Sequence, residues 1–510
     1  MNIFYNTDLG KLLQQFMYDS NSPLIFNSGF FLFMFLLFTL LYYILRNKNT
    51  ARILFVTLFS YYFYYKSSGI HFFILAVVTL SDFLIARKIG KNANRKKHKS
   101  AKSQNRIWLI LSLILDLGLL AYFKYTNFFI DIYNSVFSQY AQPFAHLDIL
   151  LPVGISFYIF QSLSYIIDVY RGNIKPLKRL LDYAFYVSFF PQLVAGPIVR
   201  ARDFIPQIHK HLCVTHKMFS AGLFLIISGL IKKAIISDYI SLNFVDRIFD
   251  QPGLYSGLEN LLGIYGYTLQ IYCDFSGYSD MAIGIALLLG FHFPKNFDSP
   301  YKSRSITEFW RRWHISLSSW LRDYLYISMG GSRKGKFRTY VNLMLTMLLG
   351  GLWHGASWNF IIWGGLHGVC LTVERLFGVD RKKNGKFSSA KYHFTILNVL
   401  RTFITFNLVA FIWLFFRNKG LDNSILMLER IFTDFKPELF TQIINGYAAV
   451  LSLILLGYIM HFMPSRWTDG LKQMFARLYF PVQALAIILI IWIVIQIKSS
   501  DIQPFIYFQF

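Results

Sequence analysis

The chain has 510 residues, of which 55% are hydrophobic, 19% aromatic and only 15% charged. Soluble domains carry about 25% charged residues. Long apolar runs recur here with the charges gathered between them, so a string of water-soluble domains is excluded and an all-α polytopic membrane protein is expected. The net charge of +25, from 51 Lys and Arg against 26 Asp and Glu, comes with no aromatic-and-basic module or finger spacing, which argues against nucleic-acid binding.

The first apolar run, residues 29–45, lacks a basic flank and a small-residue cleavage site, and reads as a retained helix rather than a removed signal. Further runs lie at 53–65, 70–86, 107–130, 149–170, 182–199, 218–236, 257–272, 276–292, 340–360, 361–377, 397–416, 443–462 and 480–497. Several are shorter than a membrane crossing requires, so some are tilted, partial or re-entrant, and about 11–13 full spans are expected. Nine positive charges and no acid fall in residues 87–106. With the basic stretches 46–52 and 171–179 they place those loops on the cytoplasmic side and the N-terminus outside, and the basic loop can also attract anionic lipid headgroups. The chain divides into an N-terminal segment (1–28), N-terminal helices with the basic loop (29–106), a core (107–378) and C-terminal helices (379–510), multi-pass in a cytoplasmic (inner) membrane. Cys213, Cys273 and Cys370 form no CxxC pair, which argues against a disulfide scaffold or a thiolate metal site.

Polar groups inside apolar runs are the leads to chemistry, because lipid cannot satisfy them. At 270–280, Gln270 and Asp274 share a helical face, and Asp274 either orients a partner or closes a turn. Asp168 can pair with Arg171 at a helix end. Residues 300–338 read as an amphipathic helix capped by Thr307 or Ser305, with Glu308 paired to Arg311 or Arg312, and ended by Gly330–Gly331. It carries His314, which either approaches a cavity or hydrogen-bonds backbone at the interface. The strongest stretch is 340–368, where His354 stands in a run free of Asp, Glu, Lys and Arg from 339 to 373. Ser357 and Trp358, three and four residues on, can share its helical face. A neutral imidazole there can take a proton from a hydroxyl during acyl transfer, or it can bridge helices. His367, among glycines, reads as a packing or anchoring residue. Asp274, Arg311, Trp358 and Asn359 are candidates to line a tunnel, with Trp358, Asn359 and Ser357 as candidate oxyanion donors. No HxxxH or HExxH spacing occurs, so no metal is expected.

The sequence resembles the membrane-bound O-acyltransferases, in their bacterial AlgI/PatA-like branch of polysaccharide O-acetyltransferases. The residues that carry the likeness are LPVGISFYIFQSLSYIIDVYRG (151–172), FPQLVAGPIVR (190–200), YCDFSGYSDMAIGIALLLGF (272–291), SITEFWRRWHISLSSWLRDYLYISMGG (305–331) and LLGGLWHGASWNFIIWGGLHG (348–368). It covers residues 25–420 and reaches, more distantly, the DltB-like D-alanyl transferases of teichoic acid. The resemblance implies a ring of helices around a central tunnel, with the GLWHG histidine, here His354, as catalytic base and the WRRWH histidine, here His314, as a second site residue. It also implies acetyl-CoA as acyl donor, an exported or cell-wall polysaccharide as acceptor, and a separate extracytoplasmic SGNH-type acetyltransferase as partner. A transporter or scramblase without covalent chemistry is the alternative from another class; the inverted repeat it would carry is not apparent between 151–200 and 272–291.

Overall fold

A computed structural model describes residues 14–19, 23–93, 99–137, 142–378 and 395–497, and every regular element among them is helical. Parts of the expected terminal segments, and residues 94–98 of the basic loop, lie outside the described residues. The N-terminal part contains α1 (Gly29–Ile44), α2 (Asn49–Ser68), α3 (Phe72–Ala93), α4 (Lys99–Leu120) and α5 (Thr126–Phe137). Next come α6 (Ile155–Arg171), α7 (Leu180–Ser188), α8 (His216–Leu230) and α9 (Gly257–Leu288). The elements that carry the histidines are α10 (Ile306–Arg312), α11 (Ile315–Trp320), α12 (Lys336–His354) and α13 (Trp358–Leu376). The chain then continues through α14 (Ile396–Arg417), α15 (Leu421–Thr433), α16 (Ala448–Phe462), α17 (Ser465–Arg477) and α18 (Phe480–Ile497).

The helices are sorted by what they face. Leu36, Leu40 and Ile44 recur every fourth residue along α1 and are exposed, which gives the helix an apolar outer stripe suited to lipid. The longest helix, α9, is the reverse case. It holds Gln270, Asp274, Ser276 and Ser279 buried, and it starts on a reciprocal cap between Ser256 and Glu259. Its contact with α8 is a seam of small residues. A Cβ on Gly229 would stand 2.5 Å from the Gly277 carbonyl oxygen, and one on Gly222 would stand 2.9 Å from that of Gly284. With little hydrophobic drive between helices in lipid, such close backbone contact is a main source of their cohesion.

Four helical runs among the described residues are long and apolar enough to cross a membrane, or up to six if each of two bent pairs crosses as one. The expected 11–13 spans are not reproduced by that measure. Helices such as α9 and α12 are buried against protein, carry polar residues and fall short in hydropathy, although they stand inside the bundle. The apolar run expected to end at 86 continues as helix through Ala93, so part of the basic stretch is helix rather than loop. Asp168 accepts from the Tyr324 hydroxyl at 2.8 Å and from Asn173 at 2.9 Å. Arg171 instead donates to the Asp323 carbonyl and the Ser328 hydroxyl, so the expected Asp168–Arg171 pair does not form.

Candidate active site

His354 is the last residue of α12, and Gly355 continues the chain in extended conformation (φ −164°, ψ 157°). The final carbonyls, which have no donors within the helix, are satisfied by side chains from the α4–α5 junction. Lys124 Nζ donates to the Trp353 and His354 carbonyl oxygens, each at 2.7 Å, and the Tyr125 hydroxyl donates to Leu352 at 2.6 Å. A cation at a helix C-terminus also opposes the macrodipole. Lys124 was not among the residues expected from sequence, although a lone lysine in the apolar run 107–130 is a signal in itself.

The His354 ring is 3% exposed and is enclosed by aromatic faces. Its centroid lies 4.9 Å from that of Trp353, 5.0 Å from Trp363 and 5.2 Å from Phe416. Close packing of α12 on α13 places Trp363 there. A Cβ on Gly351 would stand 2.2 Å from the Phe360 carbonyl oxygen, and one on Gly364 would stand 2.4 Å from that of Met347. His354 and Trp353 border a small cleft, lined also by Lys124, Gly154, Ser156 and Val194.

His314 is fully buried and occupies a break between α10 and α11 with left-handed backbone (φ 42°, ψ 56°). The expected single amphipathic helix over 305–331 is therefore two short helices followed by a looser π-type turn over 321–326. Ser305, not Thr307, caps it by accepting from Glu308 N–H at 3.1 Å, and Glu308 pairs with Arg312 and Arg304. Thr307 donates to Glu374 at 2.8 Å. Glu308 lies between the spans. Burial would raise its carboxyl pKa, but the Arg304 and Arg312 contacts outweigh burial and hold it below the usual range.

His314 Nδ1 faces Asn296 Oδ1 at 3.3 Å, and the same oxygen accepts from Ser316 N–H and Oγ–H at 3.2 and 2.9 Å. An acceptor already taking two donors favours the tautomer with the proton on Nδ1. The Nε2 lone pair is then buried with no partner among the described residues. The imidazole packs edge-on to Phe275 at 4.6 Å, and its centroid is 6.2 Å from that of Trp353. The Trp353 indole is therefore a shared neighbour of His314 and His354. Asn296 was not expected from sequence, since a polar residue in a connecting loop carries no distinguishing signal.

The remaining candidates are placed apart from this cluster. Asp274 is ion-paired with Lys233, which also meets Asp238 at 2.8 Å, so the acid belongs to the contact of α9 with the π-type turn (Ile231–Ser237) that follows α8. Arg311 is exposed on α10. Trp358 is 57% exposed and packs on Phe128. Asn359 is buried but donates to the Asn418 and Gly420 carbonyls at 2.8 and 3.2 Å, tying α13 to the turn after α14. The helical face expected for His354, Ser357 and Trp358 does not exist, because the helix ends between them and α13 starts at Trp358. His367 accepts from Trp310 Nε1 at 3.3 Å and lies parallel to Phe309, an anchor between α10 and α13.

Residues 177–416 match the family model described as MBOAT, membrane-bound O-acyltransferase family. The chain is 39% identical over 507 residues to a probable alginate O-acetylase AlgI of Pseudomonas putida, covering 96% of this chain and 100% of that one. It is 37% identical over 436 residues to a peptidoglycan O-acetyltransferase of Helicobacter pylori, with coverage of 80% and 79%. A teichoic acid D-alanyltransferase of Bacillus subtilis is 33% identical over 281 residues, covering 52% of this chain and 69% of its own. With its all-helical, multi-pass architecture, the chain belongs to the membrane-bound O-acyltransferase family, in the AlgI-like branch, with the D-alanyl transferases more distant.

Proposed function

We propose that the protein transfers acetyl from acetyl-CoA to hydroxyls of an exported or cell-wall polysaccharide, with His354 as general base and His314 in support. The observation that carries this reading is a buried imidazole at a broken helix end, bordering a cleft, in a chain of this family. Acyl transfer asks little more of a protein than a base, donors for the developing oxyanion and exclusion of water. The aromatic wall of Trp353, Trp363 and Phe416 supplies the exclusion. His314, held by Asn296, offers an Nε2 lone pair that can accept a proton or orient a polar group beside the Trp353 indole. A separate extracytoplasmic SGNH-type acetyltransferase would complete delivery to the glycan.

The test uses membranes carrying the chain and such a partner, given acetyl-CoA labelled in its acetyl group, with deacetylated alginate or peptidoglycan fragments as acceptors. Label on the acceptor is expected, and the variant His354→Ala, present at wild-type level, is expected to lose at least about 100-fold of it. Undiminished transfer by that variant would remove His354 from the chemistry. Similarity to the D-alanyltransferase motivates a second arm, in which a D-alanyl carrier protein replaces acetyl-CoA. Label moving only in that arm would replace the acetyl donor with an aminoacyl one. Movement of an acceptor without covalent label would mark a transporter.

A further inference from the structure

Across the cleft from His354 stands the start of α6, and it is built unlike an ordinary helix end. Gly154 precedes it in left-handed conformation (φ 72°, ψ 7°) and no side chain caps it. A Cβ at Gly154 would stand 2.8 Å from the Leu193 carbonyl oxygen and 3.0 Å from Val194 Cα, so glycine is needed for both backbone shape and close approach. The preceding residue is also fixed, since Val153 N–H donates to Ser68 Oγ at 3.0 Å. The helix start is therefore held in place: Ile155 N–H donates to the Pro152 carbonyl at 3.2 Å and Phe157 N–H to that of Gly154 at 2.9 Å, which leaves the Ser156 N–H between them without such a bond.

Ser156 is the second residue of this 17-residue helix and is 8% exposed. It borders the same cleft as His354 and Lys124. Neither its hydroxyl nor its backbone N–H makes a hydrogen bond to another described residue. A serine at a helix start ordinarily bonds a backbone group, whereas this hydroxyl is left open to the cleft. Two unmet donors, the positive end of a helix dipole and the Lys124 ammonium thus converge on one small space beside the buried imidazole. That arrangement suits a negative charge that appears there only during a reaction.

We infer that Ser156, through its N–H and hydroxyl, is the oxyanion site of the acyl transfer; this rests on the function proposed above. In the step, the acceptor hydroxyl oxygen bonds to the acyl carbon of the thioester while its proton passes to His354. The carbonyl π pair moves onto the carbonyl oxygen, which Ser156 receives. On collapse that pair re-forms the C=O bond, the C–S bond breaks, and the thiolate takes the proton back from His354. The products are an ester and a free thiol. Lys124, anchored on the carbonyls of Trp353 and His354, positions the base-bearing helix end and adds its charge to the site.

The test is Ser156→Ala in the labelled acetyl-CoA assay, beside His354→Ala and Ser156→Thr. Removing one oxyanion donor lowers kcat by about 100- to 1,000-fold. The backbone N–H survives in this variant, so we expect a loss of about 30- to 100-fold in kcat, with the KM for acetyl-CoA and for acceptor within about twofold and substantial recovery in Ser156→Thr. Should Ser156→Ala be poorly inserted, Ser156→Gly lacks the hydroxyl with less bulk and is read in the same way, per molecule of protein in the membrane. Wild-type kcat in the hydroxyl-free variant, with His354→Ala inactive, overturns the oxyanion site and leaves the base intact. A raised KM for acceptor at constant kcat also overturns it, since the site would then bind a ground-state anion such as a uronate carboxylate. If His354→Ala transfers normally too, the proposed function itself falls.

Discussion

His314 adopts a backbone conformation that costs most residues about 1–2 kcal/mol, with asparagine and glycine the usual occupants. Its φ of 42° is retained because Ile315 N–H donates to the Asn296 carbonyl at 2.8 Å and Ser316 to the Asn296 side chain, closing the break around the ring. The conformation and the imidazole can therefore be separated by mutation. His314→Asn keeps a residue suited to left-handed backbone and removes the ring, so the variant is expected to melt within a few degrees of wild type while transfer falls at least tenfold. Equal transfer would reduce His314 to a backbone role. His354 is singled out in the sequence by its ion-free apolar run, and both histidines by the family resemblance, with a packing use open for each. The face expected for Ser357 and Trp358 carried a helical period through Gly355, where the helix has ended. Ser156 and Asn296 gave no comparable signal, since small polar residues occur in many helices and loops and only their surroundings set them apart.

At the scale of elements, the α12–α13 hairpin fixes the site, and its closeness rests on a pair of glycines. Gly351 and Gly364 bring the two backbones together, whereas Gly350 on the same helix meets only the flexible side chain of Leu321, at 3.3 Å from a built Cβ. Gly351→Ala must push a carbonyl aside and part the helices, moving Trp363 from the His354 ring; overpacking of this kind costs about 1–3 kcal/mol. Gly350→Ala asks only a side chain to shift and is expected to cost under about 1 kcal/mol. Thermal melting in detergent of the two variants distinguishes them, and equal melting points would contradict the contact. The glycines of the 348–368 motif mark small-residue faces in the sequence, but not what lies on them. The broken helix at 313–314 was legible even less. No glycine or proline marks it in the sequence, and the break is held by tertiary bonds to Asn296.

At the scale of the whole molecule, the five motifs are far apart in sequence and are joined by bonds between them. Motif 151–172 meets motif 305–331 through Tyr324 and Asp168, and motif 190–200 meets it through Arg200, whose Nη1 lies 2.6 Å from Asp323 Oδ2. Sequence order alone carries no account of such pairings, although it did identify the segments that take part. Asp323 lies between the spans, and Arg322 also holds it at 2.6 Å. Burial would raise its carboxyl pKa, but hydrogen bonds and charge from Arg322 and Arg200 outweigh burial and lower it below the usual carboxylate range. A depressed folded-state pKa means the ionised acid stabilises the fold. That contribution is complete above the unfolded pKa of about 4 and is lost as pH falls through the lower folded value. Asp323→Asn mimics the protonated acid and leaves Arg200, which is 9% exposed, without its partner charge. The variant should therefore melt below wild type at pH 7, and the gap should narrow as pH falls below about 4 and wild type progressively loses the same charge. A gap independent of pH would mean that side-chain shape, and not the ion pair, joins the two motifs.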